Sequence, residues 1–487
     1  MLRVRHTVRV PTGAVRGGCF SAIAALATAC TVGPNYRLPP EARVNASAAQ
    51  GPFLGSKDPS VSGAALPRSW WRLYQDETLD QLVQKALQAN TDLRMAEANL
   101  QRSQALVQEA RSYRQPVADL EGSIEYSQLA GEQYLLRARP PRNTYYDSGI
   151  TIGYNLDLFG AVRRGIEAAS AQSEAVAAAR DLVRVNVAAG TAGAYAAVCG
   201  AGLELAAAQH SLDLQRENLE LTRHLFQGGR AIDLDVTRSQ ELVEQLRSAI
   251  PTLQAAQQSA LFRLAALTGQ LPEELDPKIG HCAEPPRLRQ PLPVGDGTAM
   301  LRRRPDIRES ERELAAATAE FGVETAQLYP NVVLGIPLGS IGAKPDFLTA
   351  PTDYWGLGAQ VSWQANQSVT RARIASAKAT SSLALAHFDG VVLAAVKEVE
   401  SALTAYTHDL QREESVRAAR DKAARAAQEA QQLELHGRAT ELTVLDAQRT
   451  LAAAEQSLAQ TEATLSGDQV SVFLALGGGW EPDGGAG

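Results

Sequence analysis

The chain has 487 residues, of which 45% are hydrophobic but only 5% aromatic, and its formal net charge is −7. This length allows several domains, and the low aromatic content favours extended helical packing over a compact globule with a thick core. The negative charge argues against nucleic acid as a partner.

Residues 1–29 have the pattern of a bacterial secretory signal peptide. Four arginines precede an apolar run at 20–29 that is too short to span a bilayer. Small residues precede Cys30, and together they resemble a lipobox. In a lipobox the cysteine thiol receives a diglyceride, and the amino group that cleavage of the signal exposes is acylated. The residue after Cys30 is Thr31 and not the aspartate that retains lipoproteins in the inner membrane, so we expect sorting to the outer membrane. The alternative is a plain signal, cleaved near Ala29, with an incidental cysteine.

Two cysteines, Cys199 and Cys282, remain after Cys30. An oxidising compartment would allow them to form a disulfide, but two isolated buried thiols are the interpretation that we favour. No spacing of ligands suggests a metal site, and we expect no cofactor.

The sequence after the signal contains no run of 18 or more apolar residues. We therefore predict no transmembrane helix. If the chain crosses a membrane, it must do so with strands in a closed barrel.

The chain repeats itself at a nearly constant offset. The segment Gly229–Val236 aligns with Gly437–Val444, 208 residues later, and the same register pairs Gly269 with Gly477. Chance similarity between alanine-rich helices is the alternative, but shared glycines and acids at fixed positions argue against it. Gln240 and Gln448 are also 208 residues apart, whereas Asp92 with Asp306 and Pro116 with Pro330 share an offset of 214.

Each half has the same predicted order of a helix, a strand hairpin and a long helical pair. No proline occurs between Pro141 and Pro251 or between Pro351 and Pro482, which permits very long helices. A helix over 161–227 would reach about 100 Å, a length that suits a periplasm-crossing tube. The predicted helices are 76–114 and 298–328, the hairpins 117–158 and 331–365, and the helical pairs 161–268 and 369–475.

These elements divide the chain into a signal peptide, two repeats and the segments that flank them. The divisions are 1–29 (signal), 30–75 (lipid-anchored N-terminal segment), 76–269 (first repeat), 270–297 (linker), 298–477 (second repeat) and 478–487 (tail).

The long helices carry apolar residues at seven-residue spacing, which is typical of coiled-coil seams. Gly229 and Gly437 interrupt these helices, and a glycine just past a helix end is a natural cap. We therefore place turns at the tips of two helical hairpins. The rows are Leu205, Leu212, Leu219 and Phe226, and Leu451, Leu458, Leu465 and Val472.

Four segments alternate loosely between polar and apolar residues, as strands of a membrane barrel do. An ordinary soluble sheet of two hairpins is the alternative. Four strands cannot close a useful barrel, and open edges do not survive in lipid, so the chain must share its barrel with copies of itself. Three copies would give twelve strands and leave a channel. The segments are Leu120–Tyr126, Ile150–Leu158, Asn331–Ile336 and Trp355–Trp363.

Several motifs together identify a family. With them the chain, from Cys30 to Trp480, resembles the lipoprotein outer-membrane factors of resistance-nodulation-division (RND) efflux pumps, the NodT-type relatives of TolC and OprM. One departure is Gln364–Ser368, where the family usually has a proline-containing turn. The matching motifs are Cys30–Tyr36, Trp70–Tyr74, Leu156–Gly160, Arg304–Asp306, Leu445–Gln448 and Ala475–Trp480.

The resemblance implies a mainly α, TolC-like and internally duplicated fold. It also implies a homotrimer, in which a twelve-stranded outer-membrane β-barrel continues into a periplasmic barrel of twelve helices. The segments 30–75 and 270–297 would wrap an equatorial belt. A periplasmic adaptor protein would meet the hairpin tips at Gly229, Arg230, Gly437 and Arg438, and an inner-membrane RND-type pump would supply the energy.

Acidic residues near the two tips are candidates for the periplasmic gate. In a trimer each would form a ring of three carboxylates, which select cations and repel one another unless they are paired. Ordinary surface charge at helix ends is the alternative. The acids are Asp233, Asp235, Glu441 and Asp446, and the nearby arginines that could pair with them are Arg230, Arg238, Arg438 and Arg449.

The sequence shows no catalytic constellation, so we predict a channel and not an enzyme. We interpret Glu398 and Glu400 as a solvated or interhelical face. The expected function is the exit duct of an efflux pump for toxic small molecules. The alternatives are a type I protein-secretion duct and a non-transport trimeric scaffold. The substrate, whether antibiotic, dye, metal or aromatic acid such as fusaric acid, cannot be read from the chain.

Overall fold

A computed structural model of the protein describes residues 31–135 and 137–479. The predicted signal peptide, the lipidation site Cys30 and Trp480 lie outside the described residues. Close contacts along the chain divide it into two compact units. Of the described residues, the first comprises 31–37, 102–173 and 312–385, and the second comprises 38–101, 174–311 and 386–479.

The two halves of the chain repeat one order of elements. The helices are α1 (Ser47–Gln50), α2 (Glu77–Ala89), α3 (Thr91–Ser112), α4 (Ala161–Gln227), α5 (Asp233–Leu267), α6 (Gly297–Arg303), α7 (Pro305–Ala326), α8 (Ser368–Leu435) and α9 (Glu441–Ala475). The strands are β1 (Val61–Ser62), β2 (Val117–Ser127), β3 (Asn143–Asn155), β4 (Leu292–Pro293), β5 (Asn331–Ala343), β6 (Asp353–Trp355) and β7 (Gly358–Ser362). Short 3-10 helices cover Arg43–Asn45, Leu54–Lys57, Trp70–Tyr74, Gly131–Tyr134, Pro272–Glu274, Pro277–His281 and Ala350–Thr352.

The first unit contains one antiparallel sheet built from both hairpins. Its order is β2-β3-β5-β6, with β7 also paired to β5. Strand β3 pairs with β5 around Gly149 and Gly339, so the second strand of one hairpin meets the first strand of the other. The outer sides of β2 and of β6–β7 have no partner strand in the described part of the chain.

The last predicted strand, 355–363, is divided into β6 and β7. The cause lies in the facing strand, where Pro337 has no backbone N–H to donate to the ladder. Pairing with β5 stops after Trp355 and resumes at Gly358. Gly356 still donates its N–H to the Pro337 carbonyl at 2.9 Å.

The two predicted first helices, 76–114 and 298–328, are each broken by one non-helical residue. At Arg304 the break follows from Pro305, because the residue before a proline is disfavoured in the helical region. At Asn90 the side-chain oxygen accepts the N–H groups of Asp92 and Leu93 at 2.9 and 3.1 Å and so caps α3.

These two breaks make equivalent contacts in the second unit. The Asn90 amide donates to the Leu267 carbonyl at 3.0 Å, and the Arg304 guanidinium donates to the Ala475 carbonyl at 2.7 Å. Leu267 and Ala475 are the last residues of α5 and α9, and they are 208 positions apart. The duplication read from the sequence is therefore repeated in the tertiary contacts.

A hydrophobic core fills the second unit around Trp70. This side chain is fully buried and stacks on Phe473 with ring centroids 4.5 Å apart. Trp71 and Tyr74 meet it edge-on. The segment Trp70–Tyr74 is thus fixed to the end of α9, because burying large aromatic rings contributes strongly to stability.

The structure joins Cys199 and Cys282 in a disulfide. The preference for two isolated thiols is therefore wrong. The bond requires close approach of two backbones, and Gly202, one turn along the same face of α4, provides it. A Cβ on Gly202 would lie 1.9 Å from the Cys282 carbonyl oxygen.

Two helices bear on the prediction that no helix crosses a membrane, although length and composition alone are weak evidence for a span. Helices α4 and α8 are each long and apolar enough, by length and composition, to cross a membrane. In α4, 61% of the apolar stretch is buried within the chain, whereas in α8 the share is 17%. Small residues such as Gly, Ser and Thr interrupt these stretches, which is why a search for unbroken apolar runs misses them.

Asp409 on α8 and Asp468 on α9 form a pair of facing carboxyl groups. Burial, and then a hydrogen bond to Asp409 and repulsion from it, raise the pKa of Asp468 to about 6. Arg412 lies 3.8 Å from the Asp409 carboxylate. A carboxyl with a raised pKa stabilises the fold fully only below its unfolded value near 3.8, and this stabilisation is lost as pH rises through 6.

We expect Asp468→Asn to stabilise the protein at pH 7.5 by about 1–2 kcal/mol, and by much less at pH 4.5. The amide keeps a donor for Asp409 without the cost of a second negative charge. Chemical denaturation at both pH values measures the difference. The control is Asp213→Asn, which alters an exposed carboxylate paired with Arg216. A stabilisation that does not change with pH would contradict the assignment.

Candidate functional site

The two helical hairpins end in the same turn. Gly229 follows α4 and Gly437 follows α8, and each has φ of +70°. Glycine adopts this conformation without the steric cost that a Cβ would add. In each Schellman motif two N–H groups bond back to the helix: Gly229 to Phe226 and Arg230 to Leu225 at the first tip, and Gly437 to Glu434 and Arg438 to Leu433 at the second.

The return helix of each hairpin carries an acid in its first turn. Asp235 accepts the N–H of Ile232 at 3.1 Å, which satisfies one free donor at the start of α5. Glu441 begins α9 and instead accepts the hydroxyl of Thr222, on α4, at 2.9 Å. Glu441 therefore joins the second hairpin to the first.

Carboxylates from three helices meet around Glu441. Burial raises the pKa of Glu441, and repulsion from Glu434 and Asp235 adds to the effect, while the hydrogen bond from Thr222 opposes it. The structure thus brings together two of the four predicted gate acids, Asp235 and Glu441. Glu434 was not predicted to take part.

The other two predicted acids lie apart from this cluster. Asp233 and Asp446 are both exposed. Neither side chain has a hydrogen bond or an ion pair within the described residues. Their carboxylates are free to interact with solvent or with another chain.

Among the described residues, one ion pair joins the two hairpins, between Arg449 on α9 and Glu241 on α5. Arg449 was predicted to pair with a gate acid, so its observed partner is different. Within the described part of the chain, Arg230, Arg238 and Arg438 form no ion pair. Glu241 was missed, although the repeat offers a signal, because Glu241 and Arg449 are 208 positions apart and so occupy equivalent places.

Above the tips the hairpins also meet through polar groups. Ser211 donates to Glu455 at 3.0 Å, and Gln456 donates to Glu204 at 3.3 Å. A cavity of about 430 Å³ lies between the helices of the two hairpins. Polar contacts beside a cavity hold helices less rigidly than close apolar packing does.

Of the two predicted seven-residue rows, the second is mostly buried, at Leu458, Leu465 and Val472, whereas the first packs as a seam only in part. Leu212 and Leu219 lie against Val243 of the partner helix. Phe226, at the end of the row, is 44% exposed. Apolar packing therefore fades toward the first tip.

Glu398 and Glu400 were interpreted as a solvated or interhelical face, and the structure shows which groups they contact from α8. Glu398 pairs with Arg304 at 2.8 Å. Glu400 accepts the N–H groups of Leu54 and Gly55 at 2.8 and 3.4 Å. Glu398 therefore binds the start of the second repeat, and Glu400 binds the segment that precedes the first repeat.

The duplicated strand-and-hairpin unit, with its open-edged sheet, defines a class of protein: the TolC-like outer-membrane channels. The solved outer-membrane channel OprN has a TM-score of 0.87 at 34% identity, and the match covers 93% of this chain and 100% of that one. VceC from Vibrio cholerae, at 24% identity, shares the fold with a TM-score of 0.78 over 86% of this chain and 100% of that one.

The family model described as outer membrane efflux protein matches residues 82–270 and 298–478. The chain belongs to this family, which confirms the resemblance and the fold predicted from the motifs. The toluene efflux pump outer membrane protein TtgC of Pseudomonas putida is 29% identical over 468 residues, 93% of each chain. Nodulation protein T of Rhizobium leguminosarum bv. trifolii is 28% identical over 465 residues, 94% of this chain and 96% of that one. The family transports and is not enzymatic.

Proposed function

We propose that this chain is the exit duct of a tripartite pump that exports toxic small molecules and so confers resistance to them. The observation that carries the proposal concerns the sheet of the first unit. Its two outer strands have no partner among the described residues, and the side chains on both faces of β2 are exposed. Leu120 and Ile124 of β2 are 78% and 73% exposed. Apolar side chains on an open-edged sheet need lipid around them and further strands beside them.

A homotrimer satisfies both needs. Three copies would close a barrel of twelve strands in the outer membrane and extend α4, α5, α8 and α9 as a barrel of twelve helices into the periplasm. Cys30 would carry the lipid anchor. The repeats 76–269 and 298–477 would form the duct, and the segments 30–75 and 270–297 would form an equatorial belt.

The named functions of relatives favour small molecules as the cargo. TtgC is named for toluene efflux, and OpmQ of Pseudomonas putida, at 29% identity, is named for pyoverdine export. A type I protein-secretion duct would have the same fold, and a trimeric scaffold would lack transport altogether.

Drug susceptibility of a deletion strain tests the proposal. We expect hypersensitivity to several small toxic compounds, restored by the intact gene. Loss of a secreted protein without hypersensitivity would favour the secretion duct. Neither effect, in a strain shown to have lost the protein, would favour the scaffold.

The hairpin tips are the surfaces that we assign to partner contact and gating. Gly229, Arg230, Gly437 and Arg438 would meet a periplasmic adaptor, which in turn would join the duct to an inner-membrane RND-type pump. The free guanidinium groups of Arg230 and Arg438 suit an acidic surface on that adaptor. The carboxylates of Asp233, Asp235, Glu441 and Asp446 would line the closed end.

We predict that Asp446→Asn and Asp235→Asn each make the closed channel leaky. Each substitution removes a ring of three charges in the trimer, and Asp235→Asn also weakens the cap of α5. Single-channel recording in lipid bilayers should show conductance above that of the unmodified channel. Asp213→Asn, on an exposed acid of α4 away from the tip, is the matched control. Unchanged conductance in both gate variants would refute this gate.

A further inference from the structure

The first described residues, Thr31–Tyr36, lie against the junction where β3 leads into α4. The N–H of Val32 donates to the Phe159 carbonyl at 3.2 Å. The ring of Tyr36 lies under the guanidinium of Arg312, 5.5 Å from its centroid. The segment is therefore held at both of its ends.

Arg164, in the first turn of α4, holds the middle of this segment. It donates to the carbonyls of Val32 and Gly33 at 3.2 Å each, and to the side-chain oxygen of Asn35 at 2.7 Å. Its fourth partner is Glu167 at 2.6 Å. Arg164 is only 2% exposed. A buried guanidinium needs acceptors for its donors, and three of the four acceptors here come from the segment.

Three glycines allow the close approach. A Cβ on Gly160 would lie 2.8 Å from the Thr31 side chain, and a Cβ on Gly33 would lie 2.6 Å from the Cα of Gly322. A Cβ on Gly322 would lie 2.8 Å from the side chain of Arg164. These glycines come from three distant parts of the chain, so the fit belongs to a built site and not to one local turn.

We propose that Arg164, with Gly160 and Gly322, forms a docking site for residues 31–35 of the same chain and thereby fixes the position of the N-terminal lipid. Cys30 directly precedes Thr31 in the sequence. Thr31 contacts Gly160, five residues beyond the end of β3. An acyl chain on Cys30 would therefore enter the bilayer beside the base of the strands. The part of this proposal that concerns the position of the lipid rests on the proposed lipidation of Cys30. The docking of residues 31–35 is independent of lipidation.

Arg164 is a positioning residue in this proposal, and hydrogen exchange of the full chain in detergent tests it. In Arg164→Ala we expect the Val32 amide to exchange at least about tenfold faster, because a hydrogen bond to a charged group shifts local opening by that order. Arg164→Lys should not restore protection, because one ammonium cannot reach acceptors on three residues. Arg163→Ala is the matched control, since the neighbouring Arg163 pairs with Asp157 instead.

Asn35→Ala keeps the test decisive if Arg164→Ala fails to fold. It removes one acceptor at an exposed residue, so we expect a smaller acceleration confined to residues 31–36, with α9 unchanged. Unchanged exchange of Val32 in Asn35→Ala and in any folded Arg164 variant would overturn the docking site. The mass of the N-terminal peptide separates the two proposals. An unlipidated peptide together with accelerated exchange would leave the docking intact and remove the lipid anchor.

Discussion

Replacing Arg304 with alanine is expected to lower the free energy of unfolding by about 2–3 kcal/mol, because it removes a buried guanidinium together with its charge-assisted hydrogen bonds. The Arg304 side chain is 9% exposed and pairs with Asp306 through two hydrogen bonds of 3.0 and 2.6 Å. It also reaches Glu398 and the carbonyl of Ala475. The substitution leaves two carboxylates beside each other without their cation.

The matched control is Arg302→Ala, two residues earlier, where the side chain is exposed. We expect it to change stability by less than about 0.5 kcal/mol. Thermal and chemical unfolding in detergent, followed by helical circular dichroism, measures both variants. A loss for Arg304→Ala as small as that of the control would mean that the network does not hold the start of the second repeat.

Features that depend on a few neighbouring residues could be predicted from the sequence. Gly229 and Gly437 were placed at hairpin tips because a glycine after a long proline-free helix satisfies the last carbonyl groups of that helix. The tips lie where the sequence places them, between α4 and α5 and between α8 and α9. The division of the last strand was readable in principle from Pro337 in the facing strand, once the pairing was known.

Contacts between distant parts of the chain could not be predicted in this way. Glu398 follows Arg304 by 94 residues, and nothing in its alanine-rich surroundings indicates a buried cation. Glu434 enters the carboxylate cluster only because two hairpins meet at their tips. Glu241 pairs with Arg449 for the same reason, and only the repeat offset hints at it. Composition and periodicity define faces of helices, whereas these partners depend on how the faces are brought together.

The contacts of Arg164 with the N-terminal segment could not be predicted from the sequence either. The motif Cys30–Tyr36 was recognised as part of a family pattern, yet the arginine that binds it lies 129 residues after Asn35. Gly322 is still farther along the chain. A motif identifies a segment, but the residues that bind this segment elsewhere in the chain are known only once the fold is known.

Removing the disulfide by the double substitution Cys199→Ala and Cys282→Ala is expected to destabilise the protein by about 4.5 kcal/mol on loop-closure entropy alone. The two cysteines are 83 residues apart, so the bond restricts a long loop in the unfolded chain. It fastens the end of the 3-10 helix Pro277–His281 to the middle of α4. Unfolding of the double variant and of the unmodified protein under non-reducing conditions gives the difference.

Two controls separate the bond from the packing of the sulfur atoms. A reductant should destabilise the unmodified protein toward the level of the double variant and leave the variant itself unchanged. Thiol labelling of the denatured, unreduced protein should leave both Cys199 and Cys282 unmodified. Labelling of both, with equal stability of the two proteins, would restore the interpretation as isolated thiols. Cys199 is fully buried, so reduction of the folded protein should be slow and should begin at the partly exposed Cys282.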